Sequence, residues 1–176
     1  MASTDTDYAY LRELVKTHSA NTIDPSRNAL FDTRLKSVAH MAGARNLKDF
    51  VDLLKSDRPA HLHRAVAEAM TINETSFFRD VKPFEMLREV ILPRLIEQRA
   101  AQRQLRIWSA ASSTGQEAYS LAMLLTEHFP AVAGWDVKIV GTDISRHVVE
   151  YAQRAMYRRL EVNRGLPARM LMKYMT

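Results

Sequence analysis

The sequence predicts an α/β protein: a bundle of helices followed by a parallel sheet. Two observations carry that prediction. Apolar residues recur at helical spacing through roughly the first hundred positions. At Leu105 the texture changes to strand, helix, strand, helix, the order that builds a parallel sheet with crossover helices. Length bounds the result. A chain of 176 residues with 47% hydrophobic side chains suffices for one domain, or two small ones, with a real core.

Each element has its own signal. Tyr8, Leu11, Leu14 and Val15 form one apolar stripe. Leu30, Phe31, Leu35, Val38 and Met41 form a second, with Gly43 as its stop. Asn46 is placed to cap a helix from Leu47 to Leu54, with Phe50, Val51 and Leu54 inward. Pro59 opens a fourth helix running to Met70. On it, His61 and His63 flank Leu62 and read as partly exposed helix residues rather than metal ligands. TINETSFFRD, residues 71–80, fits neither helix nor strand: it runs polar, then doubly aromatic, then ionic. Asp80 is placed to cap a helix beginning near Lys82, with Phe84, Leu87 and Ile91 on one face. Pro93 kinks or restarts that helix, and Glu97 to Gln104 is an exposed polar run. LRIWSA is the first strand, SSTGQE a turn with one glycine, and Tyr119 to Phe129 a helix that buries Leu121, Leu124 and Leu125. Pro130 to Gly134 breaks it. Asp136 to Thr142 is the second strand, ending on Asp143, and Ile144 to Met156 is helical. The expected organisation is a helical bundle over 1–70, a linker or lid with a connecting helix over 71–104, and the sheet-forming part over 105–176.

Composition excludes several chemistries. Without cysteine there is no disulfide, thiolate metal site or cysteine nucleophile. No run of 18 apolar residues exists, so no membrane insertion is expected. MASTDTDYAY lacks the pattern of a signal peptide, and a cytoplasmic location is expected. The net charge of +5 sits at one end: Arg154, Arg158, Arg159, Arg164, Arg169 and Lys173 are opposed there only by Glu161. Such a patch attracts acidic protein, nucleic acid or anionic lipid, although a solvated face is the commoner outcome. A nucleic-acid role finds no aromatic interleaving and no helix-turn-helix pattern to support it.

Ligands of open α/β sheets sit at the carboxyl ends of the strands. After the first strand, Ser113-Thr114-Gly115 lets a backbone approach a ligand closely, and Glu117 follows at the helix start. After the second strand comes Asp143, placed where a carboxylate accepts both hydroxyls of a ribose. Gly115 and Asp143 are 28 positions apart, against about 20 in dinucleotide folds. One glycine suits a pyrophosphate poorly. It better suits a nucleoside carrying an amino acid, whose ammonium would pair with Glu117. Taken alone, Asp143 is as good a helix cap as a ligand, and Arg79 as good a surface partner for Asp80 or Glu74.

Together, TINETSFFRD, LRIWSAASSTGQEAYSLAMLL, GTDIS and RGLP resemble the CheR family of chemoreceptor glutamate methyltransferases, over nearly the whole chain. The resemblance implies the start of a Rossmann-like methyltransferase domain, incomplete in this chain, with S-adenosyl-L-methionine as donor. It implies receptor glutamates, on the acidic methylation helices of a methyl-accepting chemotaxis receptor, as acceptors. The donor-site residues it implies are Asn73, Thr75, Arg79, Glu117 and Asp143. Arg79 also takes the catalytic role, clamping the methionine carboxylate. Phe77 and Phe78 would anchor the segment so that Arg79 is aimed, while Asn73 and Thr75 hydrogen-bond donor or acceptor. Receptor contacts are expected on the helical bundle, where Arg34, Lys36, Arg45 and Lys48 cluster. A glutamate with a pKa of about 4.3 is already ionised at pH 7, so the absence of a His or Cys base fits.

The sequence departs from the family pattern at Ser112, where the family often has Cys, and at Ala118, where it usually has proline. The family's later adenine-side asparagines, its aromatic residue near the methyl group and its small receptor-binding β subdomain have no counterpart. A chain ending at Thr176 is therefore expected to be inactive or impaired, with an exposed strand edge that invites association, including homo-oligomers. The competing expectation is a non-catalytic module that docks on a receptor or signalling partner.

Overall fold

A computed structural model of the chain describes residues 3–56 and 60–175. It divides into two compact units, Met1–Ile72 and Asn73–Thr176.

The first unit is helical. Its opening helix, α1 (Asp5–Ser19), starts at a reciprocal cap. The Thr4 hydroxyl accepts the Asp7 N–H, and the Asp7 carboxylate accepts the Thr4 N–H at 2.9 Å and the Thr4 hydroxyl at 2.8 Å. Lys55 adds an ion pair to Asp7 at 3.3 Å. The expected second helix is two helices, α2 (Ala29–Arg34) and α3 (Lys36–Met41), broken at Leu35. The break leaves Leu35 fully buried but turns Met41 out, 76% exposed, so Met41 is not part of the core stripe. Gly43, at φ +80°, ends the run. Asn46 caps α4 (Leu47–Lys55) by accepting the Asp49 N–H at 2.9 Å, and Phe50, Val51 and Leu54 are buried as expected. The expected role of Pro59 lies outside the described residues; α5 runs Ala60–Ala69. On α5 the His63 ring meets the Leu54 carbonyl at 3.1 Å. Leu11, Val15, Phe31, Leu35, Phe50, Val51 and Val66 form one core.

The second unit begins with irregular chain and enters α6 (Lys82–Met86). Asp80 does not cap this helix. It lies in the left-handed region at φ +63°, its backbone carbonyl accepts the Lys82 N–H, and no side chain caps the helix. A π turn over Leu87–Ile91 follows, in which the Leu92 N–H reaches back five residues to the Leu87 carbonyl, and α7 (Leu92–Arg99) continues. Pro93 explains the π turn: it brings no N–H to the backbone ladder, and the helix widens to accommodate the loss. Ile91 is exposed and falls off the expected buried face.

Strands β1 (Gln104–Ala110) and β2 (Asp136–Thr142) pair in parallel, from Gln104 opposite Asp136 to Ala110 opposite Thr142. Between them α8 (Gln116–His128) starts three residues earlier than expected. Leu105, Ile107, Val137 and Ile139 pack with Leu92, Leu124 and Leu125 on one face of the sheet. Trp108 and Val140 are exposed on the other. After β2 come α9 (Arg146–Arg154), α10 (Arg159–Asn163) and α11 (Ala168–Tyr174), the last two unannounced by sequence periodicity. Among the described residues no helix is long and apolar enough to cross a membrane.

The cap at α1 predicts a pH effect. The Thr4 N–H, then the Thr4 hydroxyl and Lys55, hold the Asp7 carboxyl below its ordinary range. Its contribution is therefore complete above the unfolded value of about 4 and is lost as pH falls through the lower folded value. Asp7→Asn should destabilise the helical unit by about 1–2 kcal/mol at pH 7, and the two proteins should converge once pH falls below the lowered folded value. Denaturation followed by circular dichroism checks this; both tryptophans lie in the other unit, so their fluorescence serves as the control.

Candidate functional site

The parallel register brings both strands out of the sheet at one level, so their carboxyl-terminal loops lie side by side. The Ser112 N–H extends the pairing to the Thr142 carbonyl at 2.9 Å. Gly141 leaves room for Ser112, since a Cβ there would stand 2.8 Å from the serine hydroxyl. Ser113 then joins three segments. Its N–H donates to Asp143 Oδ2 at 2.8 Å, and its hydroxyl donates to the Asn73 carbonyl at 2.7 Å. The other Asp143 oxygen accepts the Ser145 N–H at 3.0 Å. Each carboxylate oxygen is thus used once, and a carboxylate has about four acceptor sites, so two remain.

Gly115 closes the turn into α8 at φ +93°. A Cβ on it would lie 2.8 Å from Ala152 Cβ and 3.1 Å from the Tyr157 hydroxyl, so glycine is required by space as well as by backbone. Glu117, in the first turn of α8, is exposed, and Oε1 accepts the buried Ser109 hydroxyl at 2.6 Å.

The segment over 73–81 is held at its aromatic pair. Phe77 is fully buried, with its ring edge-on to Tyr157 at 5.1 Å. The Phe78 N–H donates to the Ser120 hydroxyl at 3.0 Å, and its ring meets Phe84 at 5.1 Å. Just after these anchors, Arg79 Nη1 donates back to the Glu74 backbone carbonyl at 2.8 Å, closing a short loop. The Glu74 carboxylate pairs instead with Arg164 at 2.6 Å, and that hydrogen bond holds it below the usual carboxylate range. Arg79 is exposed and most of its five N–H donors are not engaged by that single bond. Thr75 is half-buried, with no side-chain hydrogen bond to another described residue.

Asn73 and Asp143 are thus brought together through Ser113, Glu117 is oriented from β1, and Arg79 rides on the anchored loop. Sequence reasoning had found the Ser113 turn but not its two bonds. It missed Ser109 and Tyr157, and it named Arg164 in the RGLP motif and the basic end without its partner Glu74. Ser109 had a usable signal: it is a polar residue at an inward strand position beside the turn. The pairings of Arg164 and Tyr157 had none, because their partners are distant in sequence.

Gly165 yields a test of the segment's seating. Its φ is +95°, and a Cβ there would overlap the Phe77 carbonyl oxygen. Gly165→Ala should destabilise the second unit by at least about 2 kcal/mol. Gly43→Ala, where φ is +80° but nothing stands within 4 Å, should cost only about 1 kcal/mol in the helical unit. Tryptophan fluorescence and circular dichroism during denaturation separate the two.

Residues 73–176 match the family described as CheR methyltransferase, SAM binding domain. The chain is 35% identical to chemotaxis protein methyltransferase 1 of Pseudomonas aeruginosa over 99% of its length and 64% of that protein's. A chemotaxis protein methyltransferase of Pseudomonas putida is 31% identical over the same shares, and one of Vibrio parahaemolyticus 34% identical over 92% of this chain and 58% of its own. The chain thus spans about three-fifths of the length of these relatives. The site's donor set fits S-adenosylmethionine chemically. It offers a guanidinium for a carboxylate, one exposed carboxylate for an ammonium, and a second carboxylate with acceptor sites left for a ribose diol. On the family match and these relatives, the chain belongs to the CheR methyltransferase family, with its SAM-binding domain over residues 73–176.

Proposed function

We propose that this chain carries the donor site of a protein-glutamate methyltransferase acting on chemotaxis receptors. The observation that carries the proposal is the convergence of the Asn73–Arg79 segment, the Ser113 turn and Asp143, joined by the two bonds of Ser113. Arg79 would hold the donor's carboxylate through N–H groups not used on Glu74. Glu117, fixed by Ser109, would take the ammonium. Asp143 would take the ribose hydroxyls with the acceptor sites that Ser113 and Ser145 leave. When bound, the donor supplies a methyl group on a sulfonium, which needs no acid to release its leaving group. The acceptor glutamate is ionised at neutral pH and needs no base. What is asked of the protein is alignment of acceptor oxygen, methyl carbon and sulfur, together with exclusion of water.

Arg79→Ala should weaken binding of S-adenosylhomocysteine at least tenfold, since a charged hydrogen bond contributes roughly 1.5–3 kcal/mol. Arg79→Lys should recover little of it, because one ammonium cannot reproduce the planar fork. The melting temperature should hardly move, because Arg79 is exposed. Calorimetric titration beside a thermal melt decides; unchanged affinity with a lowered melting temperature would make Arg79 a purely structural loop closure.

The acceptor is the acidic methylation region of a receptor, and the helical unit supplies basic groups toward it. Of the four cluster residues, Arg34 donates to the Met70 and Thr71 carbonyls, Arg45 pairs with Asp49 and Lys48 with Asp52. Lys36 is exposed and has no ion pair among the described residues. Lys36→Glu should therefore weaken binding to an acidic receptor helix more than Lys48→Ala does, and the difference should shrink as salt is raised. Surface plasmon resonance at two salt concentrations reads this directly.

A further inference from the structure

We infer that Tyr157 is a positioning residue for the donor site, setting the Thr114–Gly115 turn with its hydroxyl and the Phe77 anchor with its ring. This rests on the donor-site proposal above and names a residue outside the family's sequence motifs quoted for it.

Tyr157 lies between α9 and α10, on neither strand loop. Its hydroxyl donates to the Thr114 carbonyl at 2.6 Å. A peptide unit is planar, so fixing that carbonyl also fixes the direction of the Gly115 N–H. That N–H donates to the Ser112 carbonyl at 2.9 Å. The turn is therefore closed from inside by Ser112 and from outside by Tyr157, and α8 with Glu117 starts from it. The same hydroxyl stands 3.1 Å from where a Gly115 Cβ would be, filling the space that glycine leaves.

The ring serves the other half of the site. It meets Phe77 edge-on at 5.1 Å, Tyr119 at 6.0 Å and Tyr151 at 5.9 Å. Tyr151 is tied back by donating to Glu161 at 2.7 Å, and Glu161 also accepts the Arg158 N–H at 2.8 Å. The bracket around Tyr157 is thus braced on its outer side. Burial, aided by the neighbouring tyrosines, pushes the Tyr157 hydroxyl well above its ordinary range, so it stays a proton donor wherever the protein is folded. One side chain touches both the turn and the anchored segment, and the hydroxyl contact can be removed while the ring is kept.

Tyr157→Phe removes the hydroxyl and keeps the ring. It should weaken S-adenosylhomocysteine binding about fivefold, the loss of one neutral hydrogen bond, and speed hydrogen exchange at the Gly115 and Glu117 amides. Tyr174→Phe is the control: it removes a bond of equal length, 2.6 Å to Glu127 at the far end of α8, and so lowers stability away from the turn. It should change neither affinity nor exchange at Gly115 and Glu117. Nuclear magnetic resonance titration measures both quantities on the same samples and reads weak affinities. Equal loss of affinity in the two variants would reduce Tyr157 to general stability and overturn the inference. So would a Tyr157→Phe protein that binds and exchanges like the parent. If the parent itself fails to bind S-adenosylhomocysteine, the donor-site proposal falls and this inference falls with it.

Discussion

The hydrogen bond from the Ser113 amide to the Asp143 carboxylate is the constraint on which the site depends. Two parallel strands place their loops side by side but do not by themselves hold them in one arrangement. A charge-assisted bond between the loops does, and it is stronger than a neutral one. Through the Ser113 hydroxyl the same residue also takes in Asn73, so three chain segments meet at one serine. Asp143 consequently has a structural duty as well as its proposed ligand. A substitution there would loosen the loops before it removed an acceptor.

Backbone strain is gathered around these contacts. Ala111 and Ser113 in the turn, Phe78 in the aromatic pair, and Asp80 and Val81 after it all have left-handed φ values without being glycine. Val81, β-branched at φ +39°, is the most costly of them. Such residues cost about 1–3 kcal/mol each and persist only where surrounding contacts overdetermine them. Here those contacts are identifiable: Phe77 in its aromatic bracket, the Phe78 N–H on Ser120, and Ser113 on Asp143 and Asn73. Strain at both margins of the proposed donor site is consistent with a site whose geometry is set before any ligand arrives.

The basic end of the chain has a partly internal role. Arg164 is spent on Glu74, and Lys173 pairs with Glu127 at 2.5 Å. Phe77, Met123, Val162 and Leu166 form a core beneath them. The positive charge at this end therefore also fastens the last helices, through Arg164 to the segment carrying Arg79 and through Lys173 to α8. Arg154, Arg158, Arg159 and Arg169 remain exposed.

The sequence by itself determined the elements whose signals are local. The second strand lies where DVKIVGT and its flanking breakers place it, from Asp136 to Thr142, and the first starts at Gln104, one residue before LRIWSA, because alternation and β-branching are read over a few neighbours. Asn46 caps α4, and Gly43 and Gly115 take the left-handed conformations that few other residues tolerate. The Ser113 turn and Asp143 were legible as candidates, since a turn and an acid at successive strand ends have meaning from order alone; Asn73, Thr75 and Arg79 came only from the family resemblance. Tertiary structure decided the rest. Leu35 splits a helix that periodicity runs through, to bury its own side chain in the core. Asp80 looks like a cap but is held in the left-handed region, between the anchored Phe78 and α6. Tyr157 finds Thr114 across 43 positions and Arg164 finds Glu74 across 90. No spacing rule reaches that far, because such partners are chosen by which surfaces the folded core presses together, not by the conformational preferences of adjacent residues.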